Sequence, residues 1–446
     1  MAKTIKIKKG LTLNLKGKAS ETSLSISTES QTYALVPDDF IGIIPKPEVR
    51  AGDRVLAGQS LFYSKTHPQM KFVSPVSGEV VAIHRGAKRK IESIEVRTDG
   101  AGECVSFDLS KASTRQGLKE LLLSSGMWGF IKQRPYDIVA NPDVTPRDIF
   151  VTACFTAPLA PSWNYLLSGN EEDFRAGMEA LTLLTDGKVF LGVASDCTSV
   201  SLKGVEVVEV VGPHPAGNVG VLINHLAPVN KGETVWTLKA TDVIVLGRLL
   251  RTGKADFSRR VAITGSEASA TGYVRLIPGA VLNAEVMARP NSRVRVVAGD
   301  PLTGVALSTQ RPFVPYNTDQ ITLLPEGDQI NELFGWIRPR LNQHSMSRSY
   351  FAWLMPKKEF APDTRIKGGE RAMIMSHELS RVFPMDIYAE QLLKAIIAFD
   401  IDRMEQLGIY EVAPEDFAMC EYVDTSKMQL QHIVRMGLNL LYKEMN

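Results

Sequence analysis

From Phe40 to Asp99 apolar and polar positions alternate in short runs broken by glycine, as in Val49-Arg-Ala-Gly-Asp-Arg-Val-Leu-Ala-Gly-Gln-Ser-Leu61 and Val73-Ser-Pro-Val-Ser-Gly-Glu-Val-Val-Ala-Ile83. A period of two with β-branched residues predicts strands, and Gly52, Gly58, Gly78 and Gly86 stand where tight turns need positive φ. The period then lengthens. Leu118, Leu121 and Leu122 share one face of a predicted helix capped by Ser113 or Thr114. From Phe150 to about Gly265 strands and helices alternate. Phe150–Cys154, Val189–Val193, Val205–Val211 and Val261–Thr264 are the expected strands. A helix opens at Asn170, is acidic at Glu171, Glu172 and Asp173, carries Phe174, Met178, Leu181 and Leu184, and ends at Gly187. Such alternation predicts a parallel sheet with helices on both faces, because each parallel crossover needs a covering helix.

Short β segments return from about Ser266 to Pro325, and they predict a small β-rich, β-grasp-like domain. Two amphipathic helices follow. One begins after Pro384 and aligns Leu393, Ile396, Ile397, Ile401, Met404 and Leu407; the other is capped near Asp424 and aligns Leu430, Ile433, Val434 and Leu441. The expected organisation is an α/β multidomain chain: an N-terminal segment with a β domain over 1–110, a helical linker over 111–149, a Rossmann-like parallel α/β domain over 150–265, the small β-rich domain over 266–330, and a C-terminal helical region over 331–446.

The glycine-punctuated segment is similar to the barrel-sandwich hybrid, the fold of lipoyl and biotinyl carriers. In those carriers a modified lysine sits at a hairpin tip about seven residues ahead of a Ser-Pro or Ala-Pro pair. Counting back from Ser74-Pro75 reaches His67, and Lys65 and Lys71 miss the register. The segment therefore reads as the fold without the swinging arm.

Composition narrows the function classes. The 446 residues carry 44% hydrophobic and 22% charged positions, which excludes a disordered or collagenous chain. A formal net charge of +2 does not supply the cationic surface that nucleic acid requires. Met1 to Gly10 lacks the apolar core of a secretory signal, and no run approaches the roughly 20 apolar residues of a spanning helix. Cys104, Cys154, Cys197 and Cys420 are too scattered for a disulfide framework, a zinc site or an iron–sulfur cluster, and the seven histidines form no metal-binding frame. No metal site is expected.

The parallel α/β segment invites a dinucleotide, yet no GxGxxG turn is present. The nearest substitute is Gly212-Pro-His-Pro-Ala-Gly-Asn-Val-Gly220, which follows a strand and opens a helix. Gly212, His214, Gly217 and Gly220 could present amides to an anion or nucleotide, although two prolines remove donors. Ser269-Ala270-Thr271 lacks the glycine of a covalent flavin motif.

Several stretches together resemble NqrA, the A subunit of the Na+-translocating NADH:quinone oxidoreductase (Na+-NQR). They are Ile5-Lys-Ile-Lys-Lys-Gly-Leu11, Arg85-Gly-Ala-Lys-Arg89, Phe150-Val-Thr-Ala153 with Pro158-Leu-Ala160, Leu184-Thr-Asp-Gly-Lys188, Gly212-Pro-His-Pro-Ala-Gly217, Leu333-Phe-Gly-Trp336, and Met385-Asp386 with Gln406-Leu-Gly408. The resemblance implies a peripheral protein on the cytoplasmic face of the bacterial inner membrane, without a cofactor of its own. Flavins and iron centres would belong to partner subunits, and the membrane subunits would be its chief partners. Quinone would be the substrate of the complex, and Phe40, Arg134 and Tyr136 are candidates to touch it. The rival reading is an electron-transfer protein similar to the C subunit of the Rnf complex, but Met419-Cys420-Glu421-Tyr422 offers one cysteine where that relative needs several.

Overall fold

The computed structural model describes residues 3–198, 200–328, 343–344, 351–355 and 357–445. Leu333-Phe-Gly-Trp336 lies outside the described residues. Among the described residues, four sheets organise the chain. Two of them face each other in the N-terminal region. One orders Thr32–Leu35, Ile91–Thr98, Gly78–Arg85 and Arg54–Val55; the other orders Pro45–Pro47, Ser60–Ser64 and Lys71–Val73. Their inward residues, including Val55, Phe62, Phe72, Val80 and Ile94, form one buried layer, as alternation on a pleated strand requires. The hairpin tip between Ser64 and Lys71 carries His67, whose Nε2 lies 3.4 Å from an Asp143 carboxylate oxygen. Lys71 sits in the strand and pairs with Glu48.

The largest sheet has seven strands. Lys3–Lys6, Val205–Val211, Val189–Val193, Ile149–Thr152 and Val235–Lys239 run parallel in that order, and Lys132–Arg134 and Ile138–Val139 extend it antiparallel. Both faces are buried. Ile149 and Val151 enter one core with the helices Glu171–Leu181 and Ala240–Thr252, while Phe150 enters another with Val219–Leu226, Ala389–Ile397 and Leu430–Met445. The two helices on the first face approach unusually closely. A Cβ on Gly247 would stand 1.7 Å from the Asp173 carbonyl oxygen, and one on Gly177 would stand 2.4 Å from that of Val243. Only glycine fits at either position.

Three features differ from expectation. The strand Val235–Lys239 is not among the expected ones, because its apolar run passes without a turn residue into the helix at Ala240 and so shows no change of period. The expected strand near Val261 spans Arg259–Thr264 and lies outside the parallel sheet; it joins a five-stranded sheet ordered Gly272–Leu276, Arg259–Thr264, Gln320–Pro325, Val294–Ala298 and Val305–Ala306. Propensity marks a strand, but long-range packing chooses its sheet. The helix expected after Pro384 is two helices, Ala389–Ile397 and Ile401–Gln406, separated where Phe399 takes φ 55°.

Helix capping agrees more closely. Thr114 Oγ1 accepts from the Gly117 amide at 3.1 Å and caps Arg115–Ser124. Asn170 precedes Glu171–Leu181, but its side chain donates backwards to the Leu166 carbonyl oxygen at 2.8 Å.

A cleft at the switch point of the parallel sheet

After Ile149–Thr152 the chain places its next two parallel strands on one side, then returns to lay Val235–Lys239 on the other. The connections on either side of Ile149–Thr152 therefore diverge, leaving a crevice beyond the carboxyl ends of the strands, where open α/β sheets bind ligands. A cavity of about 550 Å³ occupies that position, with Thr152 and Lys239, the last residues of the two strands, in its wall. A second cavity of about 720 Å³ lies across the loop 155–161 and shares Phe155 and Thr156 with the first.

One wall of the cleft is aromatic. Tyr316 stacks on Phe130 at 4.4 Å between ring centroids and stands 4.9 Å from Phe40; all three line the cavity. The opposite side is polar. Lys239 Nζ donates to the Asn317 carbonyl oxygen at 3.1 Å and lies 3.5 Å from an Asp319 oxygen. Behind them Arg259, 5% exposed, sets one guanidinium nitrogen 3.0 Å from Asp242 and 3.1 Å from Asp319. Burial pushes Asp242 up to about 6 despite that arginine. Burial also pushes the Cys154 thiol up to about 12, so it remains protonated and is no nucleophile at neutral pH. Six carboxylates line the cavity against three cations, Lys132, Lys239 and Arg435. Counting Arg259 and Arg311 behind the wall still leaves acid in excess, which opposes a pyrophosphate.

Of the residues singled out in the sequence, Phe40, His214 and Gly217 line this cleft, whereas Arg134, Tyr136, Gly212 and Gly220 are not in its wall. Arg134 is buried in an ion network: it donates to the Glu411 carbonyl oxygen at 3.0 Å and lies 3.3 Å from Asp416 and 3.5 Å from Glu415. Tyr136 packs edge-on against Tyr442 at 5.2 Å, and its carbonyl oxygen accepts from Arg435 at 2.8 Å. In the loop after Val211 the amides of Ala216 and Asn218 bond within the loop, and that of Gly217 donates to Thr156 Oγ1 at 2.9 Å. The helix Val219–Leu226 meets a carboxylate of the chain itself. A Cβ on Gly220 would stand 2.5 Å from an Asp416 oxygen. Thr156, Lys239 and Tyr316 escaped the sequence reading. The order of the strands would have revealed Lys239, but no local motif marks it.

Comparison with known proteins agrees with the architecture. Residues 5–99 match the NqrA N-terminal barrel-sandwich hybrid domain, and residues 113–255 match the NqrA second alpha/beta domain. The A subunit of a Na(+)-translocating NADH-quinone reductase from Rhodopirellula baltica is 34% identical over 98% of both chains. The chain belongs to the NqrA family. The corresponding A subunits of Pasteurella multocida and of Neisseria meningitidis serogroup C are 35% and 33% identical, each over 99% of this chain and all of theirs. An NAD+-reducing [NiFe]-hydrogenase structure in the H2-reduced state aligns over 48% of each chain with 11% identity and a TM-score of 0.36, a likeness from which nothing is concluded. The match to the barrel-sandwich family and to an α/β domain bears out those two parts of the expected fold. Among the described residues of this NqrA family member no helix is long and apolar enough to cross a membrane.

Proposed function

We propose that this chain serves a Na+-translocating NADH-quinone reductase as its peripheral, redox-cofactor-free member, docked on the membrane subunits on the cytoplasmic side, and that its cleft receives quinone. Full-length similarity to proteins named as the A subunit of that reductase supports membership of the complex. The observation that carries the quinone reading is the cleft itself. Its aromatic wall of Phe40, Phe130 and Tyr316, facing a few convergent polar groups, suits a planar neutral ring. Its acid excess opposes the dinucleotide that the same position holds in other open α/β sheets. Arg134 and Tyr136 are left to packing, and Phe40 is retained as a quinone contact. The parallel sheet is then a Rossmann-like frame that has kept its crevice. The five-stranded sheet, with Arg259–Thr264 and Gln320–Pro325 parallel at its middle, is β-grasp-like. The C-terminal helices form a cover over the second face of the large sheet.

Two measurements test the reading. The purified full chain is expected to show no visible absorption, and stoichiometric flavin or iron would favour the rival electron-transfer protein similar to the Rnf C subunit. The chain is also expected to sediment with membranes only when the membrane subunits are co-expressed. Firm binding to protein-free liposomes in high salt would contradict docking through protein contacts, because charge attraction to lipid is screened within about 8 Å at physiological salt.

A further inference from the structure

One polar side chain in the cleft is left without a partner on one side. His214 is 5% exposed, and its Nε2 makes no hydrogen bond among the described residues. Its other ring nitrogen, Nδ1, lies 3.2 Å from Thr156 Oγ1. That hydroxyl already accepts from the Gly217 amide at 2.9 Å, so its own proton is available to another acceptor. Directed at Nδ1, the proton makes this nitrogen the acceptor of a neutral imidazole and leaves the ring hydrogen on Nε2. Glycine at 217 is part of the arrangement. A Cβ there would stand 2.0 Å from the Cys154 carbonyl oxygen and 2.8 Å from Thr156 Oγ1, so only glycine brings its amide to the threonine.

We propose that His214 is a ligand-binding residue of the cleft, held by Thr156 as the Nε2–H tautomer so that it donates a hydrogen bond to a carbonyl oxygen of a bound quinone. The assignment rests on the cleft being the quinone site. A buried donor without an acceptor is unfavourable in the empty protein, and an arriving carbonyl removes that penalty. A carbonyl suits the position better than a phosphate because the ring is neutral: burial pushes its pKa down to about 4, against the pull of Asp300. A neutral imidazole gives a phosphate no countercharge, and the surrounding wall is acidic.

The full chain is titrated with a short-chain benzoquinone by calorimetry, and its histidine ring nitrogens are assigned by NMR without ligand. His214→Phe, which keeps a ring and removes the donor, is expected to weaken binding at least tenfold. His214→Gln, which restores an N–H, is expected to recover most of that loss. Thr156→Val is expected to weaken binding while Thr156→Ser does not, with thermal unfolding showing that each variant is folded. The NMR spectrum is expected to show hydrogen on Nε2 of His214. Hydrogen on Nδ1, or unaltered quinone binding by folded His214→Phe, overturns this proposal and leaves the cleft reading intact. No quinone binding by the unaltered chain overturns both.

Discussion

The loop Gly212–Gly220 has two halves that treat polar groups in opposite ways. At its helical end the negative partner is built in. Asp416 lies against the first turn of Val219–Leu226, accepts from the Ala413 amide at 2.9 Å and faces Arg134 at 3.3 Å. Its Oδ1 makes no hydrogen bond among the described residues, but it sits in the positive field of the helix end. At its other end His214 turns an unpaired nitrogen toward the cavity. Glycine spacing suggests one anion site spread over all four residues, Gly212, His214, Gly217 and Gly220. The structure separates them: the glycines mark places where backbone or carboxylate comes close, and the histidine marks the place where a partner is missing. An accounting of buried donors and acceptors distinguishes these roles where glycine spacing does not.

The largest effect that would break this contrast is on Asp416. Asp416→Ala leaves Arg134, 1% exposed, without its buried countercharge, and is expected to cost about 3–5 kcal/mol in urea unfolding. A cost below about 1 kcal/mol would show that the helix end is not sealed by this carboxylate. Gly220→Ala should follow, because its Cβ would stand 2.5 Å from the carboxylate; about 1–3 kcal/mol is expected from the same measurement.

Acid sharpens the contrast through His214. Its folded pKa lies near 4, below the ordinary 6.5, so the unfolded chain takes up a proton first as pH falls. The contribution to stability is complete above about pH 6.5 and is lost as pH falls toward 4, by up to about 3 kcal/mol. Asp242 and Asp416, raised by burial to about 6, act in the other direction: their contribution is present in acid and lost as pH rises through 6. His214→Phe removes only the first effect. Between pH 7 and 4.5 the variant should therefore gain about 2–3 kcal/mol relative to the unaltered chain, read from urea midpoints, and no relative gain would place the ring in water.

The smallest expected effect belongs to the carrier-like hairpin. Lys65→Ala with Lys71→Ala should leave quinone reduction by the assembled complex unchanged, losing at most a surface ion pair of about 0–1 kcal/mol. Intact mass of the unaltered chain should show no lipoyl or biotinyl group, and either mass would restore the swinging-arm reading.

Local structure is largely readable in the sequence, and the cleft is not. Alternation and turn glycines announce the barrel-sandwich strands; Gly52 and Gly58 take φ 92° and 86°. Thr114 announces its helix because a cap acts over three residues. The cleft depends on contacts between distant segments, its wall running from Asp39 to Arg435. In the sequence Arg134 looks available for quinone because nothing nearby claims it, whereas its partner Asp416 is 282 residues away. Phe40 stands out as an aromatic near a polar turn and does line the cleft, yet Tyr316, which packs against it, carries no local signal.

What the cleft holds in the working enzyme decides between these readings. A photoreactive quinone analogue is therefore bound to the purified, active complex, irradiated, and its adducts mapped by peptide mass spectrometry. Labelling of this chain is expected on the loop 155–161 or the segment 214–217, abolished by excess unlabelled quinone. Competable labelling confined to other subunits, or to surfaces of this chain away from Phe40, Thr156 and His214, would contradict a quinone-binding cleft.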